Sequence, residues 1–274
     1  MNNLPDNTWL TKEYCNRFCG ILVVDGKFVK VRGYDKKIPF IYGIDYLTHD
    51  IPVGILVPSE NTEAFRKLFR LLKTINYPLR AVVCDDVISA LKTGLERYYP
   101  KAKIQLCHTH YLENIRKKLE VRTSQEHIKF FNDLKRYIFD GYQDENKLSA
   151  ILGDFVVNDA KDDVVRQEII INIWRRRENL FVYKNIPHCP NDTNLIELFN
   201  SHLNARLRSV KGFKSFNSAK RWLNAYLIRR RIKPFTDCEG KFKKLNHKCS
   251  LEMTIKKQTS KSEIIQKYQL KMQR

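Results

Sequence analysis

Three Val-, Ile-, Phe- and Tyr-rich runs follow one another between residues 20 and 57 with only turn chemistry between them, and no other feature narrows the fold as much. In "GILVVDGKFVKVRG" and "KIPFIYGIDYLTHDIPVGILVP" the runs are broken by Asp-Gly and Thr-His-Asp, which predicts strands at about 20–32, 38–47 and 51–57. "SENTEAFRKLFRLLKTINYP" then offers cap residues at Ser59 and Asn61, followed by Ala64, Phe65, Leu68, Leu72 and Ile75 at helical spacing. "LRAVVC" reads as a short buried strand, "VISALKTGLERYY" as a helix and "KIQLC" as another strand. Consecutive meander strands followed by α/β alternation imply an α/β layer structure, a mixed sheet flanked by helices.

From about residue 109 to 180 the pattern changes to long polar helices. The expected organisation is therefore a short N-terminal remnant or linker (1–17), the first part of the core (18–110) and an all-helical insertion (111–185). The final core helices (186–235) and a basic, flexible C-terminal segment (236–274) complete it.

The chain holds 50 Lys and Arg against 30 Asp and Glu, and the excess is unevenly spread. Residues 204–274 contain 20 against 4, whereas residues 1–203 contain 30 against 26. A basic last quarter suggests a polyanionic partner, because each phosphate neutralised releases condensed counterions. Phe213, Phe216, Trp222 and Tyr226 interleave the cations in "KGFKSFNSAKRWLNAYLIRRRIKPF", which favours a folded, partly buried basic helix over a solvated tail. No apolar run is long enough to span a bilayer, and the polar start "MNNLPDNTWL" carries no secretory signal. The expectation is a soluble, cytoplasmic protein associated with the nucleoid. Its seven cysteines are then reduced thiols.

Three acids stand where chemistry could be done. Asp25 closes the apolar run "ILVV", although Asp-Gly is also a hairpin-turn signal, and both readings stay open on local evidence. Asp85 follows "AVVC" at the carboxyl end of a strand, where open α/β sheets put their ligands. Its neighbour Asp86 is expected to cap the helix that begins with "VISAL". Glu197 lies one turn into a helix opened by Asp192, Thr193 and Asn194, and Asn194 with Glu197 also reads as a capping box. Leu195, Ile196, Leu198, Phe199, Leu203 and Leu207 define the apolar side of that helix; Thr193, Glu197, Asn200, Ser201, Asn204 and Arg208 define the other. Such acids can hold divalent ions, since Mg²⁺ takes one or two carboxylates together with substrate phosphates.

Together "VVDGKFVKV", "VVCDDVISALKTGLERYYPKAKIQLCHTHYLENIRKKL" and "TNLIELFNSHLNARL" resemble the DDE transposases of the Mutator-like superfamily, which includes many bacterial and archaeal insertion-sequence transposases. The resemblance covers residues 18 to about 235. It implies a ribonuclease-H-like core with a helical insertion, and it implies Asp25, Asp85 and Glu197 as the metal-binding catalytic triad. Two Mg²⁺ ions, with Mn²⁺ able to substitute, would then serve cleavage of the element's ends and attack on target DNA. Where the family usually has Asp-Gly this chain has Asp85-Asp86, and the matching position is Asp85. The family's order also brings in Cys107 and His110 as a Cys-x-x-His pair. This pair is expected to pack or hydrogen-bond beside the site, since two ligands make half of a four-coordinate zinc site. Asn194 is a further accessory candidate.

The basic residues Arg206, Arg208, Lys211, Lys214, Arg229, Arg230, Arg231 and Lys233 are expected to contact phosphates, a positioning role without base specificity. The resemblance implies DNA as partner, with a homo-oligomer assembled on it. Family members carry a DNA-binding segment ahead of the catalytic core, and 24 residues precede Asp25, so a chain lacking that segment is expected. Two other readings stay open: a truncated, non-catalytic DNA-binding remnant, and a ribonuclease-H-like nuclease or resolvase.

Overall fold

The structure is a computed structural model that describes residues 4–122 and 125–268. In chain order its first elements are α1 (Asn7–Tyr14), β1 (Ile21–Val29), β2 (Ile38–Asp45), β3 (Val53–Leu56), α2 (Thr62–Thr74), β4 (Ala81–Cys84), α3 (Ile88–Tyr98) and β5 (Lys103–Leu106). Helices α4 (His108–Lys118), α5 (Gln125–Leu134), α6 (Glu145–Asn158), α7 (Val164–Leu180) and α8 (Val182–Asn185) follow, with a π-helical turn at Lys135–Asp140. The chain ends with α9 (Asn194–Val210), α10 (Phe216–Ile232), a 3-10 segment (Gly240–Leu245), α11 (Ser250–Thr254) and α12 (Lys261–Tyr268). The strands form a five-stranded mixed sheet in the order β3-β2-β1-β4-β5, the α/β arrangement expected from the strand pattern. Among the described residues no helix is long and apolar enough to cross a membrane. None of the seven cysteines is joined in a disulfide.

The chain divides into two compact units. The first comprises Met1–Val82, Val87–Ala102 and Asn194–Arg274. Here β1, β2 and β3 pair antiparallel, with Asp25 opposite Tyr42 and Gly26 opposite Ile41. Asp25-Gly26 is therefore the middle of a nine-residue strand and makes no hairpin turn. The alternation that continues to Val29 outweighs the local dipeptide signal, because each further ladder pair buries another side chain on β2. The side chain of Asn61 caps α2 by accepting from the Ala64 amide, as its position suggested. Asp86 does not cap α3, whose N-cap is Val87 with no side-chain hydrogen bond.

Of the residues beyond Phe235, expected to be flexible, 236–268 fold back in this unit, and 269–274 lie outside the described residues. Leu251, Ile255 and Ile264 bury themselves with Leu10 and Cys15 of the N-terminal stretch and with Ile228 and Ile232 of α10. A few apolar residues at the right spacing suffice to anchor a basic segment. At the centre of this region Arg231 is 1% exposed, and all five of its N–H groups are engaged. Its Nε and Nη2 bind the two carboxylate oxygens of Asp50, both at 2.8 Å. Nη1 donates to Asn7 and Thr11, and Nη2 also to the Cys15 sulfur.

His49 shows how burial couples to pH. It is 6% exposed and packs against Phe235 and Phe242, and its Nε2 has no hydrogen-bond partner. Burial pushes the imidazole from 6.5 down to about 4. The unfolded chain binds the proton first between those values, so stability is complete above about pH 6.5 and is lost as pH falls toward 4. The loss is about 3 kcal/mol over that window. Urea unfolding at about pH 7.5 and about pH 5 tests this, with His49→Asn as comparison because Asn tolerates the positive φ of 54°. The wild type is expected to weaken markedly at the lower pH relative to the variant. An equal pH response of the two proteins overturns the assignment.

The second unit comprises Val83–Asp86 and Lys103–Thr193. Its helices α4 to α8 enclose Phe130, Phe131, Leu134, Ile138, Phe139, Leu152, Phe155, Ile169, Ile173 and Phe181. Buried Gln105 on β5 donates to the Leu180 carbonyl at 2.8 Å and accepts from the Tyr183 amide at 2.8 Å, tying the strand to α7 and α8. The His108 ring meets the same Leu180 carbonyl at 2.6 Å and lies against Phe139, Phe181 and Tyr183.

Candidate active site

Asp25 and Glu197 both belong to the first unit. The Asp25 Oδ1 accepts from the Gly26 amide at 2.7 Å, and Oδ2 accepts from the Asn200 side-chain amide. The Asn200 carbonyl oxygen in turn accepts from the Tyr42 hydroxyl at 2.8 Å. Helix α9 packs across β1 and β2, which brings Asn200 over the residue pair Asp25 and Tyr42. Glu197 stands exposed three residues before Asn200, hence on the same face of α9 one turn earlier. Asn200 is 8% exposed and Leu198 is 53% exposed, the reverse of the sides assigned from sequence. The reason is the Asp25–Asn200–Tyr42 chain, which compensates burial of an amide where a leucine would otherwise be expected. Asn194 is the first residue of α9, inside the helix rather than its cap.

Burial raises the Tyr42 hydroxyl well above its ordinary pKa, so it remains a neutral donor.

Asp85 lies in the second unit, one residue beyond the end of β4. Its Oδ1 is 2.7 Å from Nδ1 of His110. The same nitrogen is 3.3 Å from the Cys107 sulfur and 3.3 Å from the Thr193 hydroxyl, and that hydroxyl is 3.2 Å from the sulfur. The ligand atoms of Asp85, Cys107 and His110 all lie within 4.8 Å of one another. Cys107 and His110 thus hydrogen-bond as expected, and Asp85 and Thr193 complete a group that the Cys-x-x-His spacing did not reveal.

This group is not a cysteine-nucleophile triad. In such triads one imidazole nitrogen faces the nucleophile and the other the carboxylate. Here Nδ1 faces both, and burial raises the Cys107 thiol, keeping it protonated. The arrangement suits orientation of the Asp85 carboxylate. Asp86 turns instead to Arg176 of α7, since a charge-assisted bond to guanidinium is stronger than a neutral amide contact.

The eight basic residues singled out from the sequence separate into four environments. Arg206, Arg229, Arg230 and Lys233 line one cavity, and Arg208 and Lys211 line a second together with Lys30 and Lys37. Lys214 is exposed. Arg231 is buried against Asp50 and is withdrawn from any phosphate, contrary to the sequence expectation. Its spacing held the signal: Arg231 follows Leu227 by four and Ile228 by three residues, so it falls on the buried stripe of α10.

A sequence model of the family described as "Transposase, Mutator family" matches residues 7–231, from α1 to within one residue of the end of α10. A transposase for insertion sequence element IS1201 of Lactobacillus helveticus is 27% identical over 169 residues, which are 60% of this chain and 43% of that protein. The chain therefore spans less than half the length of this curated relative. The family match takes in the strand carrying Asp25, the cluster around Asp85 and the helix carrying Glu197 and Asn200. This chain belongs to the Mutator family of transposases.

Proposed function

We propose that the chain is a ribonuclease-H-like catalytic core that cuts and joins DNA strands during movement of an insertion sequence, by metal-dependent phosphoryl transfer with Asp25, Asp85 and Glu197 as its acids. The observation that carries the proposal is the family match over residues 7–231, which contains all three acids. The strand order β3-β2-β1-β4-β5, with β1 to β3 antiparallel, supports the ribonuclease-H-like reading. The donor set also fits, because carboxylate oxygens are the ligands Mg²⁺ prefers and Mn²⁺ accepts.

When bound, such ions supply charge stabilisation to the attacking and leaving oxygens of the phosphoryl transfer. The chain's own residues prepare for this. Asn200 fixes the Asp25 carboxylate against β2 through Tyr42, and His110 with Thr193 orients Asp85. Arg206, Arg208, Lys211, Lys214, Arg229, Arg230 and Lys233 hold the DNA backbone, and several copies of the chain assemble on the element ends.

Incubation with DNA carrying the native element ends, in Mg²⁺ or Mn²⁺, is expected to yield nicked ends and strand-transfer products. Cleavage without joining would make the chain a nuclease or resolvase on the same core. Binding with neither product would defeat the catalytic reading. Asn200→Ala is expected to reduce cleavage by about 10- to 100-fold, the usual cost of removing a partner that orients a metal-binding side chain. Its DNA affinity in metal-free buffer should stay unchanged.

A further inference from the structure

Between α9, α10 and the residues that follow α10 lies a cavity of about 580 Å³. Its lining pairs cations with flat apolar surface: Arg206, Arg229, Arg230 and Lys233 beside Trp222 and Tyr226. Asp237 is the single carboxylate among the lining residues, so the cavity carries a clear positive excess. None of the four cations takes part in an ion pair among the described residues.

Two polar atoms here are buried without a hydrogen-bond partner, the Tyr226 hydroxyl and Nε of Arg230. The lining itself supplies no acceptor to either atom. The cavity also exceeds what one phosphate group fills, and it lies within the roughly 300–1,000 Å³ of small-molecule sites. Trp222 and Tyr226 are one helical turn apart with rings nearly parallel, 8° between planes and 5.7 Å between centroids. Small side chains, Ala205 on α9 and Ala225 on α10, leave the space in front of them open.

We infer that this cavity receives a single unstacked nucleotide of the DNA strand, its phosphate among Arg206, Arg229, Arg230 and Lys233 and its base against the Trp222–Tyr226 pair. A base within a duplex is stacked on its neighbours and cannot enter a concave site, whereas an unpaired one can. Base-on-aromatic stacking is sequence-tolerant, so the pocket selects a DNA shape rather than a sequence. The inference rests on the proposed DNA-handling function and adds to it a preference for DNA with an unpaired nucleotide.

Equilibrium binding in metal-free buffer tests it with three labelled DNAs: a perfect duplex, the same duplex with one bulged nucleotide, and the same bulge lacking its base. The wild type is expected to bind the bulged duplex about 10-fold more tightly than the other two, the low end of one base–aromatic stack. Ala205→Trp fills the cavity from an exposed position on α9 and should remove that preference while leaving duplex affinity and thermal stability unchanged. Trp222→Leu should also remove the preference, through loss of the stack. Equal affinity for the bulge with and without its base, or a preference that survives Ala205→Trp, overturns the nucleotide pocket and leaves DNA binding intact. Failure to bind any of the three DNAs defeats the proposed function as well.

Discussion

Asp50→Ala should lower the unfolding free energy by about 3–5 kcal/mol, the cost of leaving a buried charge without its partner. Arg231 is fully enclosed, and its bidentate contact to Asp50 is the only carboxylate contact among its five engaged N–H groups. Asp50 is equally committed, accepting from Ser250 at 2.9 Å and from Thr254 at 2.6 Å in addition. One ion pair therefore ties α1, the β2–β3 connection, α10 and α11 together. Arg231→Lys is not a mild change here, since an ammonium cannot reproduce the planar fork. Arg231→Met in the Asp50→Leu background should recover part of the loss, because replacing both charges removes the desolvation penalty along with the attraction. Urea unfolding of the three variants decides it, and an Asp50→Ala protein as stable as wild type would sink the argument. The neighbouring Arg229, exposed on the same helix, should tolerate replacement by Gln with a change in stability of less than about 0.5 kcal/mol.

The second large effect concerns the proposed chemistry. Asp25→Asn, Asp85→Asn and Glu197→Gln should each reduce metal-dependent cleavage by about 1,000-fold or more, equivalent to about 4 kcal/mol of lost transition-state stabilisation. Each substitution keeps side-chain size, so melting temperature should change little and DNA binding without metal should persist. Asp86→Ala is the internal control. Its carboxylate pairs with Arg176 rather than with the Asp85 cluster, so cleavage should stay within a few-fold of wild type. Cleavage that survives in the Asp85 variant but disappears in the Asp86 variant would reverse the assignment of the two neighbours.

Much of the architecture can be read from hydrophobic period alone. The three meander strands, the Asn61-capped helix and the short strands ending at Cys84 and Leu106 all occur where alternation and cap residues put them. The misreadings share one cause. Asp86 as a cap, Arg231 as a phosphate ligand and a flexible C-terminal segment are each reasonable for a few residues considered alone, as is the turn at Asp25-Gly26 that local evidence left open. Each is overruled by a partner elsewhere in the chain: Tyr42 on β2, Arg176 on α7, Asp50, and the Leu10–Cys15 face of the N-terminus.

The candidate site divides along the same line. Local residue chemistry made Asp25, Asp85 and Glu197 candidates beside simpler structural readings, and the resemblance to a transposase family chose them and brought in Cys107 and His110. That Asn200 holds Asp25, that His110 and Thr193 surround Asp85, and that Arg231 serves the core follows from contacts between residues up to 224 positions apart. Periodicity within one segment reports which face of that segment is apolar. It carries no information about which polar group waits opposite, and burial makes that pairing decisive for what each charged residue does.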